Sequence, residues 1–236
     1  MKMIETRKSA LISQSNFLPW RGYFAGLRLV DLLVLHDTEQ FTKRDWRNRN
    51  IIQNGSDWEW LTLPIRSKGN YLAPIHKIET IDVQTSISVI NKIEMNYRNY
   101  KNTPGYRFVI NMLQSSIQQK SLSQINFQLV KNICEYLSIE VEITLLTEPL
   151  QSTEKNLKLI EICKKFEVEK YVTGPTALSY MDIPLFLDRD ILVSTLDYSK
   201  LQISKNETEY SIIHHIITNE PSSLEPLTSF RDEVGV

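Results

Sequence analysis

Ser9-Ala10-Leu11-Ile12-Ser13, the polar and proline-bearing stretch Gln14 to Gly22, the segment Tyr23 to Val30, and Leu32-Leu33-Val34-Leu35-His36-Asp37 follow one another along the chain. The first is an apolar run of strand length, and the second reads as a loop. The third places Phe24, Leu27 and Val30 at i, i+3 and i+6, a helical period. The fourth is a buried strand that ends in polar residues. Strand, loop, helix, strand is a βαβ unit, which almost always builds a right-handed parallel pair. Ligands of open α/β sheets sit beyond the carboxyl ends of the strands. Gln14 to Trp20 and His36 to Arg49 both lie at such ends and are expected to line one crevice.

Outward from this unit, Trp58 to Ile65 is a third strand, expected to pair with Ala73 to Ile81 as an edge hairpin across Arg66 to Asn70. Ser86 to Tyr100, Phe108 to Ile117 and Ile125 to Leu137 carry the helical period, so a helical insertion is expected between about 82 and 138. The α/β rhythm then returns with Glu140 to Leu146 as strand, Glu154 to Phe166 as helix, Lys170 to Thr173 as strand, Thr176 to Tyr180 as a short helix and Ile191 to Tyr198 as strand. The tail from about 219, with Pro221 and Pro226, reads as loosely ordered. The expectation is one elaborated α/β domain with a Rossmann-like, mostly parallel sheet.

The 236 residues amount to 27.5 kDa, which excludes a fusion of two enzymes. No stretch approaches the roughly 18 apolar residues of a membrane helix, and the amino terminus lacks a secretory h-region, so the chain is expected in the cytoplasm. Net charge −1 removes the global positive field of a dedicated nucleic-acid binder. Cys134 and Cys163 sit in apolar helical patterns outside any CxxC pair and read as reduced core residues. The seven glycines miss the GxGxxG and GxxxxGK spacings; Gly22 and Gly26 form GxxxG, read here as close packing. The four histidines miss metal spacings, so no metal and no permanently bound cofactor are expected.

The densest polar cluster runs from Gln40 to Asn50. Lys43, Arg44, Arg47 and Arg49, with Gln40, Asn48 and Trp46 among them, are the types that hold phosphate and stack a ring. The alternative is a solvated charged loop. His36 and Asp37, at a strand's carboxyl end, suit a general base and its orienting partner, or a structural pair. Gln14, Asn16 and Trp20 form either a ligand wall or an aromatic plug against the sheet. Thr173 and Gly174 are expected on the same ligand edge. In Ser211-Ile212-Ile213-His214-His215 the alternation implies one histidine inward and one outward.

Together these stretches carry a resemblance. From about residue 9, Ile12-Ser13-Gln14-Ser15-Asn16-Phe17-Leu18-Pro19-Trp20-Arg21-Gly22-Tyr23-Phe24, then His36-Asp37-Thr38-Glu39-Gln40-Phe41 with Arg44 and Arg47-Asn48-Arg49-Asn50, then Trp60-Leu61-Thr62-Leu63-Pro64, resemble the WbqC-like family of bacterial proteins. Tyr171-Val172-Thr173-Gly174, Tyr180-Met181-Asp182 and Ser211-Ile212-Ile213 extend it to about residue 219. Ser15 departs from a family proline, His36 from the first of two aspartates and His214 from the aspartate of the closing motif. The resemblance implies a setting in O-antigen or other surface-glycan biosynthesis and a transferase that acylates or aminoacylates a nucleotide-linked amino sugar. The donor is then an acyl thioester on coenzyme A or an acyl carrier, or an aminoacyl-tRNA. Asp37 or His36 is the implied base, Arg44, Arg47 and Arg49 the phosphate grip, and Gln14, Asn16 and Trp20 the walls, with Gln40, Trp46, Asn48, Thr173, Gly174 and Tyr180 as further substrate contacts. The other reading is a non-catalytic ligand-binding or assembly subunit of a glycan pathway.

Overall fold

The structure, a computed structural model, describes residues 7–70, 72–198, 209–218 and the backbone of 230–233. Strands β1 (Ser9–Ser13) and β2 (Leu32–His36) flank helix α1 (Arg21–Leu27) and pair in parallel, Ala10 opposite Leu32 and Ser13 opposite Leu35. The βαβ unit stands as read. With β5 (Glu142–Leu146), β6 (Lys170–Thr173) and β7 (Leu192–Leu196) it makes a parallel sheet, closed at one edge by the antiparallel β8 (Phe230–Glu233); the order is β5-β2-β1-β6-β7-β8. The segment expected to be a loose tail thus supplies an edge strand at 230–233, and its remainder lies outside the described residues.

Alternation sorts the strand side chains onto two apolar faces, as expected for a sheet covered on both sides. Leu11, Leu33, Leu35, Val172 and Leu196 point to one face, covered by α1, by α3 (Pro104–Ser116) and α4 (Leu122–Tyr136), by α2 (Val83–Asn96) and by α7 (Ile212–Thr218). Ala10, Ile12, Leu32, Val34, Tyr171 and Val193 point to the other, against α5 (Lys155–Lys165) and α6 (Ile183–Leu187). β1 and β6 are parallel, but the strand order turns between them: β2 and then β5 extend the sheet on one side of β1, and β6, β7 and β8 extend it on the other. That is the switch point at which α/β sheets open a crevice. The mid-chain helices share one hydrophobic cluster with the first face of the sheet. Gly105 fits where α3 crosses α7, for a Cβ there would stand 1.9 Å from the Ile216 carbonyl oxygen. Asp82, Thr103, Ser121 and Glu154 cap the four long helices with side-chain oxygens that accept backbone N–H groups.

Two expectations need correction. The strand over Trp58 to Ile65 does not pair with Ala73 to Ile81, which holds a 3₁₀ turn at Ile75–Lys77 and touches it only through the bridge Ile65 to Thr80. Instead β4 (Asp57–Thr62) pairs antiparallel with β3 (Arg49–Asn54), so the end of the cationic cluster is a strand. The missed signal is Gly55-Ser56, the two-residue loop between the paired Asn54 and Asp57; Gly55 takes φ 61°, the left-handed region that the first position of such a turn needs. Arg49, Ile51 and Gln53 face outward while Ile52 is buried, so alternation explains Arg49, whereas Lys43, Arg44 and Arg47 lie in the loop before the strand. Second, Ser211 to His215 does not alternate as a strand: α7 starts at Ile212 and buries both His214 and His215.

Candidate functional site

The loop that leaves β1 is clamped by groups from five other segments. Asp37 is fully buried, and its carboxylate accepts from Ser15 N (2.8 Å), Ser15 Oγ (2.7 Å) and Ser123 Oγ of α4. The Arg47 guanidinium donates to the carbonyls of Gln14 and Ser15 and to Asn16 Oδ1. Phe17 N donates to the Trp46 carbonyl, and Asn50 Nδ2 to the carbonyls of Phe17 and Leu18 (3.1 and 2.7 Å). At the far end Ser211 Oγ donates to the Leu18 carbonyl and Ile212 N to the Pro19 carbonyl. These bonds hold Leu18 at φ 49°, a conformation that bulky side chains disfavour and that persists only where the surroundings over-determine it. The result is a rigid rim at the switch point.

Two cavities adjoin this rim, and a third lies on the cationic segment and the hairpin that follow β2. One of about 370 Å³ is lined by Asn16, Pro19, Trp20, Tyr23, Trp46, Asn50 and Glu209. A second, about 170 Å³, shares Asn16, Trp20 and Tyr23 and reaches Ser13, Thr173, Gly174 and Tyr198 at the ends of β1, β6 and β7. The Trp20 indole divides the two. It rests on Gly22, where a Cβ would come within 2.2 Å of the ring, and meets Tyr198 at 5.2 Å between centroids. Among the described residues, Glu209 is the one charged side chain lining the larger cavity, held by Arg21 Nη2 at 3.0 Å. Burial pushes the Tyr23 phenol well above its ordinary range, so it stays a neutral hydroxyl beside Ser13 Oγ. The third cavity, about 320 Å³, is lined by Phe41, Lys43, Arg44, Asn48, Arg49, Thr62, Ile65 and Ser67: three cations and no acid. Arg44, at φ 57°, presents its carbonyl to the Arg49 guanidinium, which lies 3.9 Å from the Trp60 ring centroid.

Asn16, Trp20, Trp46, Arg44, Asn48, Arg49, Thr173 and Gly174 therefore line these cavities. Arg47 lies behind the rim as its clamp, its basicity lowered chiefly by burial. Gln14 meets Arg47 through its carbonyl, Gln40 is exposed and bridges to Pro74, and Tyr180 is exposed beside Lys155. His36 and Asp37 do not converge. Asp37 points to the α4 side, while His36 points to the α5 side and pairs through Nε2 with Glu39 (3.1 Å), itself paired with Lys158. Consecutive strand residues face opposite ways, which separates them. Burial, more than the opposing pull of Glu39, lowers the His36 pKa. Glu209, Asn50 and Tyr198 are wall residues that the sequence reading did not single out; each joins through a contact distant in the chain.

Burial also lowers the His215 pKa from 6.5 to about 3, with His214 and Arg21 adding to the effect. The unfolded chain therefore binds more protons than the folded one between those values. Stability from this group is complete above about pH 6.5 and is lost as pH falls toward 3. About 2 kcal/mol should disappear between pH 7.5 and pH 5, and His215→Phe should flatten that slope in urea titrations across pH.

The chain matches the WbqC-like protein family over residues 14–225, from the clamped loop through α7. It belongs to that family. A relative in Mycobacterium tuberculosis (strain ATCC 25618 / H37Rv), described as the uncharacterized protein Rv1507c, is 31% identical over 191 residues, covering 81% of this chain and 83% of its own. No solved structure gives a significant match. The matched span of this WbqC-like protein contains every residue that lines the two larger cavities. Among the described residues no helix is long and apolar enough to cross a membrane.

Proposed function

We propose that the crevice at the carboxyl ends of β1 and β6 binds a nucleotide-linked amino sugar, and that the protein acylates or aminoacylates its amino group in bacterial surface-glycan biosynthesis. The observation that carries the reading is the division of charge among the described residues: an aromatic cavity with one carboxylate, Glu209, and a separate cavity with three cations, joined through Trp46 of the first, Trp60 and Arg49 of the second. An amino sugar tethered to a diphosphate has the same division. Its amine would meet Glu209, its ring Trp20 and Trp46, and its phosphates Lys43, Arg44 and Arg49. The attacking amine displaces the thiol of an acyl thioester, or the tRNA hydroxyl of an aminoacyl ester, and gives up one proton as the amide forms. Glu209 is the group placed to take it. Asp37 and Arg47 act as positioning residues, through Ser15 and Asn16.

Arg44→Ala tests the phosphate contact. A charge-assisted contact at a partly exposed site is worth ~1 to 2 kcal/mol, so affinity for a UDP-linked amino sugar should fall about 5- to 30-fold by calorimetry. Unchanged affinity counts against the phosphate assignment. Because neither His36 nor Asp37 is among the described residues lining these three cavities, the binding-subunit reading keeps one observation in its favour. Mass spectrometry decides it: a sugar gaining an acyl or aminoacyl mass supports transfer, and a bound, unmodified sugar with every donor class supports binding alone.

A further inference from the structure

The outer face of the β3–β4 hairpin carries an unusual set of rings. Trp58 and Trp60 share one face of β4 by alternation, and Trp46 joins them from the preceding loop. Ring centroids are 5.4 Å apart from Trp46 to Trp60 and 6.0 Å from Trp60 to Trp58. Trp46 and Trp58 are each 43% exposed. Two indoles left in water lose the burial that is the usual return on so large an apolar group, so their exposure calls for an occupant. Trp46 also lines the 370 Å³ cavity, whereas Trp58 lines none of the three. The row thus starts at the crevice and runs away from it toward the hairpin turn at Gly55.

Size selects the class of occupant. With a tryptophan offering at most ~250 Å², the exposed parts of these two rings come to roughly 200 Å², well short of the ~800 Å² per partner of a stable protein interface. A second copy of the chain or another folded protein is poorly served by so small a patch. Geometry selects within the small ligands. Planes inclined by 46° from Trp46 to Trp60 and by 89° from Trp60 to Trp58 leave no parallel slot for a flat base. Arg49 covers one face of Trp60, so in a row of inclined rings spaced close to the rise of one sugar the exposed Trp46 and Trp58 offer their faces to the C–H faces of successive pyranoses, with Trp60 between them. The hydroxyls need polar partners at the rim, and Gln53 and Thr62 lie on the same face of the hairpin, across from Trp58 and beside Trp60.

We infer that Trp46, Trp60 and Trp58 form a platform for a chain of sugars, so that the protein binds an oligosaccharide as well as the ligand of its crevice. This stands on the hairpin alone and does not depend on the nucleotide-sugar reading. The test is calorimetry of the full chain and of Trp58→Ala, with chitotetraose, cellotetraose and maltotetraose against the corresponding monosaccharides, and with a UDP-linked amino sugar as control. At least one tetrasaccharide should bind tenfold or more tightly than its monosaccharide. Trp58→Ala should abolish that gain with an unchanged melting temperature, and leave the UDP-sugar affinity within twofold. Three outcomes overturn the inference: no tetrasaccharide binds more tightly than its monosaccharide; Trp58→Ala binds the tetrasaccharide as well as the parent does; or light scattering shows that the parent is a dimer which Trp58→Ala dissociates, which assigns the patch to self-association. Tetrasaccharide binding without any UDP-sugar binding would sink the crevice proposal and leave this one intact.

Discussion

Asp37→Asn should cost about 3 kcal/mol of stability and loosen the rim of the crevice. The carboxylate is fully buried and accepts from three donors, Ser15 N, Ser15 Oγ and Ser123 Oγ. An amide of the same size turns one acceptor into a donor that faces other donors. At least one buried hydrogen bond is then lost and one polar group stranded, at ~1 to 3 kcal/mol for each stranded group. For a chain of this length the melting temperature should fall by roughly 6 to 12 °C. Ser123→Ala, which removes one donor and leaves Ser15 in place, should cost only about 1 kcal/mol. The pair of variants separates a positioning role from a base: a base replaced by its amide keeps the parental melting temperature and loses turnover alone. Because Ser15 N–H and Asn16 hang on the same clamp, Asp37→Asn should also weaken ligand binding in the crevice, in step with its loss of stability.

The parts of the fold that read correctly from the sequence are those set by local periodicity. Ser9–Ser13 and Lys170–Thr173 are apolar runs with polar or permissive ends, and both strands occur over the residues expected. The three mid-chain helices keep their period because one stripe of each is buried in a common cluster. Periodicity failed where two patterns are locally alike. A strand with polar outward positions, Arg49 to Asn54, resembles a polar loop until Gly55-Ser56 is weighed as a turn. The run Ile212 to Ile217 is apolar on every side because α7 is buried all round, so it carries no stripe to tell helix from strand. The site was legible where its residues leave a strand's carboxyl end, as Asn16, Thr173 and Gly174 do. It was illegible where partners are far apart in the chain: nothing local to Asp37 names Ser123, and nothing local to Trp20 names Glu209 or Tyr198.

Glu209 carries the largest expected effect on binding. Among the described residues it is the one charged group in a cavity otherwise lined by rings, amides and a proline, and Arg21 fixes its orientation with two donors, Nε and Nη2. An ammonium brought beside it gains a charge-assisted hydrogen bond in partly buried surroundings, whereas a hydroxyl at the same carbon gains an ordinary one. Hydrogen bonds to charged groups are worth ~1.5 to 3 kcal/mol, so the amine should be preferred about 10- to 100-fold. Glu209→Gln keeps the volume and removes the charge, which should erase the preference and leave affinity for the hydroxyl compound nearly as it was. The measurement is isothermal titration of the parent and of Glu209→Gln with two UDP-sugars that differ only in carrying an amino or a hydroxyl group at C2. The account predicts tighter binding of the amino compound by the parent and equal binding of both by the variant. Equal binding of the two by the parent, or no binding of either, would contradict it.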